Sequence, residues 1–338
     1  MAADKMTITA IAREAGVSPA TASRVVNGRG DVARGTRERV EELLRRHGHP
    51  PHGRASRDRS VLVEVVVNGI NPWATEILRG VEQSARAAGL GTLVSALPEK
   101  APDAERRWLA DLRRRAPAGI VLAVWSLDRA LWERLRGLGL PVVVVDLVGL
   151  PGVNAPTIGA TNWAAGRTAT EHLLRLGHRR IGFIAGPPLL RCSQARLGGY
   201  RTALETAGVA VDDALTVVGD HEPDSGFDAC RRLMRLPRPP TAVFAANDPM
   251  AMGAREALRR RGLRVPEDVS VVGMDDLPAT RLSAPALTTV RQPLARMGTV
   301  ALRTLLRLSR GEALDAARLE LATELVVRSS TTRNAPRV

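Results

Sequence analysis

The sequence predicts an α/β protein in two parts: an N-terminal three-helix headpiece of the helix-turn-helix type, then a core of doubly wound parallel sheets. Three observations carry that expectation. Near the N-terminus, Val17-Ser18-Pro19-Ala20-Thr21-Ala22-Ser23-Arg24-Val25-Val26-Asn27-Gly28 reads as a capped helix entered from a glycine turn. From Ser60 onward, β-branched apolar runs alternate with amphipathic helical patterns, as in parallel strands joined by helices. The length, 338 residues, is too great for one small domain and suits a headpiece plus a two-lobed core.

Taken in order, Thr7 is placed to cap a first helix through Ile8, Ile11 and Ala12, and Gly16 suits its C-terminal turn. Ser18 caps the second helix because its hydroxyl accepts from free amides of the first turn. Pro19 follows at the first helical position, where a missing N–H costs nothing. Ala22, Val25 and Val26 give this helix an apolar side, which leaves Ala20, Thr21, Ser23 and Arg24 to approach phosphates and base edges. Pro19 and Ala20 offer no hydrogen bonds and sense thymine methyls or groove shape. Arg24 can fork onto guanine O6 and N7 or grip phosphate, while Thr21, Ser23, Asn27 and Thr36 read as phosphate-positioning groups. The third helix follows as Val32 and Thr36-Arg37-Glu38-Arg39-Val40, with Ala33 where a hydroxyl cap is usual, so Thr36 or Asp31 has to substitute. The plainer reading of the same pattern is a small capped helix on an unrelated three-helix domain.

In the core, buried-type runs at 61–67, 120–124, 142–145, 181–185, 242–245 and 269–273 read as strands. Helical patterns follow at 73–88, 132–138, 164–176 and 249–261. Glu64 breaks the first run and is expected either near an edge or paired with an arginine. Ligands in such folds sit beyond the carboxyl ends of the strands. There the chain places Asp146, Asn247 with Asp248, and Asp275, whose carboxylates and amide can take hydrogen bonds from vicinal hydroxyls. Asp248 reads better as a helix cap.

Charge and composition exclude several classes. The chain holds 49 Lys+Arg against 35 Asp+Glu, net +14. Residues 1–60 carry 12 basic and 7 acidic groups, which favours encounter with DNA by counterion release. The remaining +9 lies in the core, and nearly all cations are Arg, which points to codon usage rather than to a partner. Cys192 and Cys230 make no disulfide framework and no metal spacing occurs. No apolar run approaches the roughly 20 residues of a membrane span. Met1-Ala2-Ala3-Asp4-Lys5 lacks a signal-peptide pattern, so the expected compartment is the cytosol. No Gly-x-Gly-x-x-Gly, Walker loop, Gly-x-Ser-x-Gly or His-Glu-x-x-His occurs, and no cofactor is expected. An α/β carbohydrate-processing enzyme would have to use Asp146, Asp275 and Asp276 as acid and base, with nothing placing a nucleophile beside them. A transport-type binding protein would need export.

The headpiece resembles that of the LacI/GalR repressor family: Thr7-Ile8-x-x-Ile11-Ala12, Ala15-Gly16-Val17-Ser18, then Thr21-x-Ser23-Arg24-Val25-Val26-Asn27. The core resembles the same family in Val145-Asp146, Gly177-His178-Arg179-Arg180-Ile181, Arg196-x-x-Gly199-Tyr200, Ala246-Asn247-Asp248, Val271-Val272-Gly273-Met274-Asp275-Asp276 and Leu287-Thr288-Thr289-Val290-Arg291-Gln292-Pro293. The resemblance implies a DNA-binding headpiece over 1–48, a linker over 49–60 and a periplasmic-binding-protein-like effector core over 61–338. Lobe 1 would hold about 61–161 and 294–322, lobe 2 about 162–291 and 323–338. It further implies a homodimer, operator DNA as partner, and a small effector, foremost a sugar, in the cleft between the lobes.

By that resemblance Asp146, Arg196, Asn247 and Asp275 contact the effector, and Trp73 stands at a commonly aromatic position. Arg196 offers a planar fork of donors, and Trp73 an apolar face for a sugar or a stacking platform for a purine-like effector. Trp125 can line the cleft or cover the sheet. His221 stands where relatives have a ligand-facing aromatic, against the plainer reading of a solvated or capping loop histidine. Cys192 precedes the loop expected to carry Arg196 and reads as space-filling; Trp108 and Trp132 read as core. The chain departs from the family at His49-Pro50-Pro51-His52-Gly53-Arg54-Ala55-Ser56-Arg57-Asp58-Arg59-Ser60, which has no leucine to wedge into a minor groove. Arg54, Arg57 or Arg59 can enter a narrow minor groove instead.

Overall fold

The computed structural model describes residues 7–26, 32–47, 61–97, 102–125, 127, 129–146 and 155–334. In the headpiece, α1 (Ile8–Glu14), α2 (Pro19–Val26) and α3 (Arg34–Arg46) close on a small core of Ile11, Ala12, Ala22, Val25, Val40 and Leu44. Gly16 turns the chain between α1 and α2 with φ +68°, a conformation that costs glycine nothing.

The first sheet takes β1 (Leu62–Val67), β2 (Gly91–Ala96), β3 (Ile120–Ala123), β4 (Val142–Val145) and β5 (Thr157–Ala160), with α4 (Pro72–Ala87), α5 (Pro102–Arg115) and α6 (Arg129–Gly137) between strands. The chain then crosses into a second sheet of β6 (Ile181–Ala185), β7 (Thr216–Val218), β8 (Ala242–Ala245), β9 (Ser270–Asp275) and β10 (Thr288–Arg291). Its helices are α7 (Asn162–Arg175), α8 (Arg191–Thr206), α9 (Pro223–Leu233), α10 (Asp248–Arg260) and the short α11 (Pro278–Leu282). It returns for α12 (Leu294–Ser309) and β11 (Arg318–Leu321), which join the first sheet, and crosses again to β12 (Glu324–Val326).

The orders β2-β1-β3-β4-β5-β11 and β7-β6-β8-β9-β10-β12 repeat one doubly wound plan. All pairings are parallel except β12 with β10, a correction to the expectation of purely parallel sheets. An edge strand reached by a short crossover from the other lobe meets no topological demand to run parallel.

Glu64 is fully buried on β1 between β2 and β3, so it is not at an edge. Arg115, the last residue of α5, donates to it from Nε at 3.1 Å and Nη2 at 2.8 Å, and Ser95 Oγ donates at 2.7 Å. Trp108 and Trp132 are buried in the apolar layer under α5 and α6. Among the described residues no helix is long and apolar enough to cross a membrane.

Three helix pairs share one packing device. A Cβ on Gly80 of α4 would lie 1.8 Å from the Ala295 carbonyl oxygen of α12, and one on Gly298 would lie 2.1 Å from that of Ile77. Gly166 and Gly199 make the same reciprocal approach between α7 and α8, as do Gly226 and Gly253 between α9 and α10. Backbone meets backbone at each crossing, so an added methyl has no flexible neighbour to displace. Gly80→Ala should therefore cost at least the roughly 1–3 kcal/mol typical of overpacking. An unchanged thermal midpoint by calorimetry would refute this account of the α4–α12 contact.

Candidate ligand cleft and nucleic-acid interface

Strand order decides where side chains can converge. In each sheet the connections reverse direction beside the first strand, opening a crevice at the carboxyl ends. In the first lobe the crevice lies between β1 and β3, where Asn68 Oδ1 accepts the Trp125 N–H at 2.6 Å. In the second lobe the segments after β6 and β8 border it. Asn71 caps α4 by accepting from the Ala74 N–H at 2.9 Å, with Pro72 and Trp73 opening the helix. Asp146 follows β4 with φ +63°, and Asp275 ends β9 with φ +120°. All seven residues singled out from the sequence, Trp73, Trp125, Asp146, Arg196, His221, Asn247 and Asp275, line one cavity of about 70 Å³ between the lobes.

Arg196 is the cation of this cavity and is 3% exposed. It lies within α8, not in a loop as the sequence suggested. Its Nε donates to Asn162 Oδ1 at 2.8 Å and Nη1 to the Ala246 carbonyl at 2.7 Å. Asn162, which sequence reasoning missed, donates in turn to Asp146 Oδ1 at 3.4 Å. Burial raises the Asp146 carboxyl, against the pull of Arg196 and Asn162. Burial likewise pushes Asp275 up to about 7, although Arg196 and the 2.6 Å hydrogen bond from Gln292 Nε2 draw it down. Gln292, also missed, sits in the crossover after β10.

Two readings of the sequence are overturned here. Asn247, not Asp248, caps α10, accepting from the Met250 N–H at 3.0 Å while its Nδ2 donates to the His221 carbonyl at 2.8 Å. Asp248 is buried and accepts from Thr289 Oγ1 at 2.6 Å and the Leu277 N–H at 2.8 Å, bracing β10 and the segment after β9. Burial, reinforced by Asp275, holds its carboxyl well above the usual range. His221 is neither solvated nor capping. Its ring occupies the space a side chain at position 186 would fill, with Nε2 1.9 Å from where a Gly186 Cβ would stand. That nitrogen is buried without a hydrogen-bond partner among the described residues, and burial, with Arg196 nearby, pushes the ring down to about 4. Cys192 is half-buried, its thiol pushed up to about 11 by burial.

The headpiece presents its own surface. Ser18 Oγ accepts from the Thr21 N–H at 3.1 Å and lies 2.8 Å from Thr21 Oγ1, which fixes the first turn of α2. Ser18, Pro19, Ala20 and Arg24 are exposed; Thr21 and Ser23 are half-buried. Thr7 occupies the cap position of α1, yet its side chain makes no cap bond; its carbonyl accepts from Ala10 and Ile11 instead. Thr36 lies inside the first turn of α3, half-buried. Asn27, Asp31, Arg54, Arg57 and Arg59 lie outside the described residues.

A helix-turn-helix headpiece joined to two lobes with a charged cleft now has counterparts among known proteins. The family model "Bacterial regulatory proteins, lacI family" matches residues 7–52, and a "Periplasmic binding protein-like domain" model matches 170–331. The HTH-type transcriptional repressor CytR of Escherichia coli K12 is 34% identical over 331 residues, 96% of each chain. The chain belongs to the LacI family. It is a DNA-binding transcriptional regulator and not an enzyme. Among solved structures, the transcriptional regulator CelR–cellobiose complex superposes with a TM-score of 0.74 at 35% identity, covering 96% of this chain and 99% of that one. The lac repressor dimer bound to operator and the anti-inducer ONPF gives 0.71 at 28%, covering 97% and 100%.

The raised Asp275 carboxyl makes a signed prediction. Its folded value lies above its unfolded one, so the folded chain binds a proton that the unfolded chain lacks between about pH 4 and 7. Wild type therefore loses stability as pH rises through this window. Asp275→Asn should be more stable than wild type at pH 8 without ligand, and the gap should close towards pH 4. Urea midpoints that keep a constant offset across that range would contradict the assignment.

Proposed function

We propose that this regulator is a repressor that acts as a homodimer on a two-fold operator, its affinity for DNA set by a sugar held between the lobes. The convergence of Arg196 with Asp146 and Asp275 carries the reading. A guanidinium fork beside two carboxylates offers donors and acceptors to adjacent hydroxyls, and Trp73 and Trp125 offer apolar faces to the C–H side of a ring. His221 and Asn247 complete the wall. That the similar CelR structure holds cellobiose supports a saccharide. Residues 1–48 serve as the DNA-binding unit, 49–60 as the linker and 61–338 as the effector core. Thr7, Ser18, Thr21, Ser23, Asn27, Thr36 and Arg54 position phosphates or the minor groove, while Pro19, Ala20 and Arg24 face bases. Coupling needs only that the ligand prefer one arrangement of the lobes.

Fluorescence anisotropy on a duplex from the region upstream of the chain's own gene, at fixed salt and titrated with a panel of sugars, tests this. Specific binding altered by one sugar is the expected result. Tight specific binding indifferent to every sugar would remove the sugar, and no specific binding would remove the operator. In the same assay Arg196→Ala should keep DNA affinity and lose the sugar response. Arg24→Ala should weaken specific binding by about 1–3 kcal/mol if it forks onto guanine. A loss that is equal on unrelated DNA would assign Arg24 to phosphate instead.

A further inference from the structure

Beside the inner cavity lies a second one of about 780 Å³. The first turns of α7 and α8 bound it on one side and β11 on the other, so it too is a space between the lobes. Asp146 lines both cavities, and Asn162, its hydrogen-bond partner, lines the outer one. Asp146 is thus common to both walls.

Size and wall chemistry together indicate the occupant. The inner cavity, about 70 Å³, holds two or three waters at roughly 30 Å³ each, whereas small-molecule pockets run to about 300–1,000 Å³. A pyranose ring is larger than two or three waters, so a sugar gripped by Arg196 and Asp275 overfills the inner space and extends past Asp146 into the outer one. There Trp163 is 44% exposed, an unusual state for so large an apolar ring. It is held in place: the Arg167 guanidinium lies 5.8 Å from the ring centroid, and a Cβ on Gly198 of α8 would touch the ring at 3.4 Å. Around it stand Arg191, Gln194, Arg318 and Glu320. An exposed aromatic face among guanidinium, amide and carboxylate groups suits a pyranose, with C–H groups on the ring and hydroxyls to the polar side chains. Two arginines are balanced by Asp146 and Glu320, and Arg318 is itself ion-paired to Glu320. That balance favours a neutral saccharide over a phosphate.

We infer that the effector is an oligosaccharide of at least two units, the inner held by Arg196 and Asp275, the outer seated on Trp163 between α8 and β11, with Asp146 accepting hydroxyls from both. This rests on the sugar reading above. The test is isothermal titration of the full chain with glucose, cellobiose, maltose, galactose, lactose, xylose and xylobiose. At least one disaccharide should bind about tenfold or more tighter than its monosaccharide, a gain of ~1.4 kcal/mol or more. Trp163→Ala should remove that advantage and Trp163→Phe restore most of it, with monosaccharide affinity and thermal midpoint unchanged. Equal affinity for mono- and disaccharide, or a disaccharide advantage that survives Trp163→Ala, would overturn the outer site and leave the sugar reading intact. Binding of no saccharide would overturn both.

Discussion

The cleft is organised around one buried cation. A guanidinium keeps its charge when taken out of water, so Arg196 can sit inside only where acceptors meet it. Asn162 and the Ala246 carbonyl supply hydrogen bonds, and Asp146 and Asp275 supply opposite charge. The dependence runs both ways. Asp146, Asp248 and Asp275 are all raised by burial, and Arg196 pulls two of them back towards ionisation. Backbone packing fixes the position of the cation, since a Cβ on Gly166 of α7 would meet the Arg196 carbonyl at 2.1 Å. A close helix contact of the second lobe and the buried cation of its cleft are thus one feature.

Duplication explains why residues so far apart in sequence meet. Each lobe reverses its winding beside its first strand, so the crevices of the two sheets face a common space. Trp73 and Trp125 come from the segments after β1 and β3, Asp146 from that after β4, and Asn247 and Asp275 from the corresponding ends in the second sheet. The reciprocal glycines let helix pairs cover each sheet closely, which keeps these strand ends rigid relative to one another. Three crossovers join the lobes and two are laced together, Thr161 Oγ1 lying 3.0 Å from Thr323 Oγ1 and accepting the Thr323 N–H at 3.1 Å.

Elements with strong local signals were legible in the sequence. β3, β4, β6 and β8 are buried throughout, and central strands of that kind read as unbroken apolar runs. The second headpiece helix was legible because Ser18 and Pro19 act within one turn. β2, β5, β7, β10, β11 and β12 were missed: β2 is exposed or half-buried along its length, the others have three or four residues, and β11 exposes Arg318, Leu319 and Glu320. Partners distant in sequence were equally hidden. Glu64 finds Arg115 across 51 positions, and the half-buried His221 hides its Nε2 because Gly186, on another strand end, carries no side chain. Asn162 has no local motif, and the motif that contains Gln292 gave it no role; each matters because a crossover brings it to a charged group. The strand-end acids were visible since a carboxylate after an apolar run stands out, whereas which of Asn247 and Asp248 caps the helix depends on a one-residue difference in its start.

On the proposed reading, the same geometry says which contact makes lobe closure depend on ligand. Arg196 and Asp275 belong to the second lobe's elements, so a sugar bound to them alone favours neither an open nor a closed cleft. A ligand shifts an equilibrium only by its difference in affinity between states, and moving a population from 1:99 to 99:1 takes about 5.5 kcal/mol. Hydrogen bonds to charged groups contribute roughly 1.5–3 kcal/mol each, so two or three made only on closure are enough. Asp146, at the end of β4 in the first lobe, is the charged group that can make them to a sugar already held opposite. Its own link across the cleft, 3.4 Å from Asn162, is long for a hydrogen bond, so a ligand hydroxyl replaces little when it takes that position. That contact is therefore weak without ligand and can be strong with it, which is what a regulator answering to a small molecule requires of its cleft.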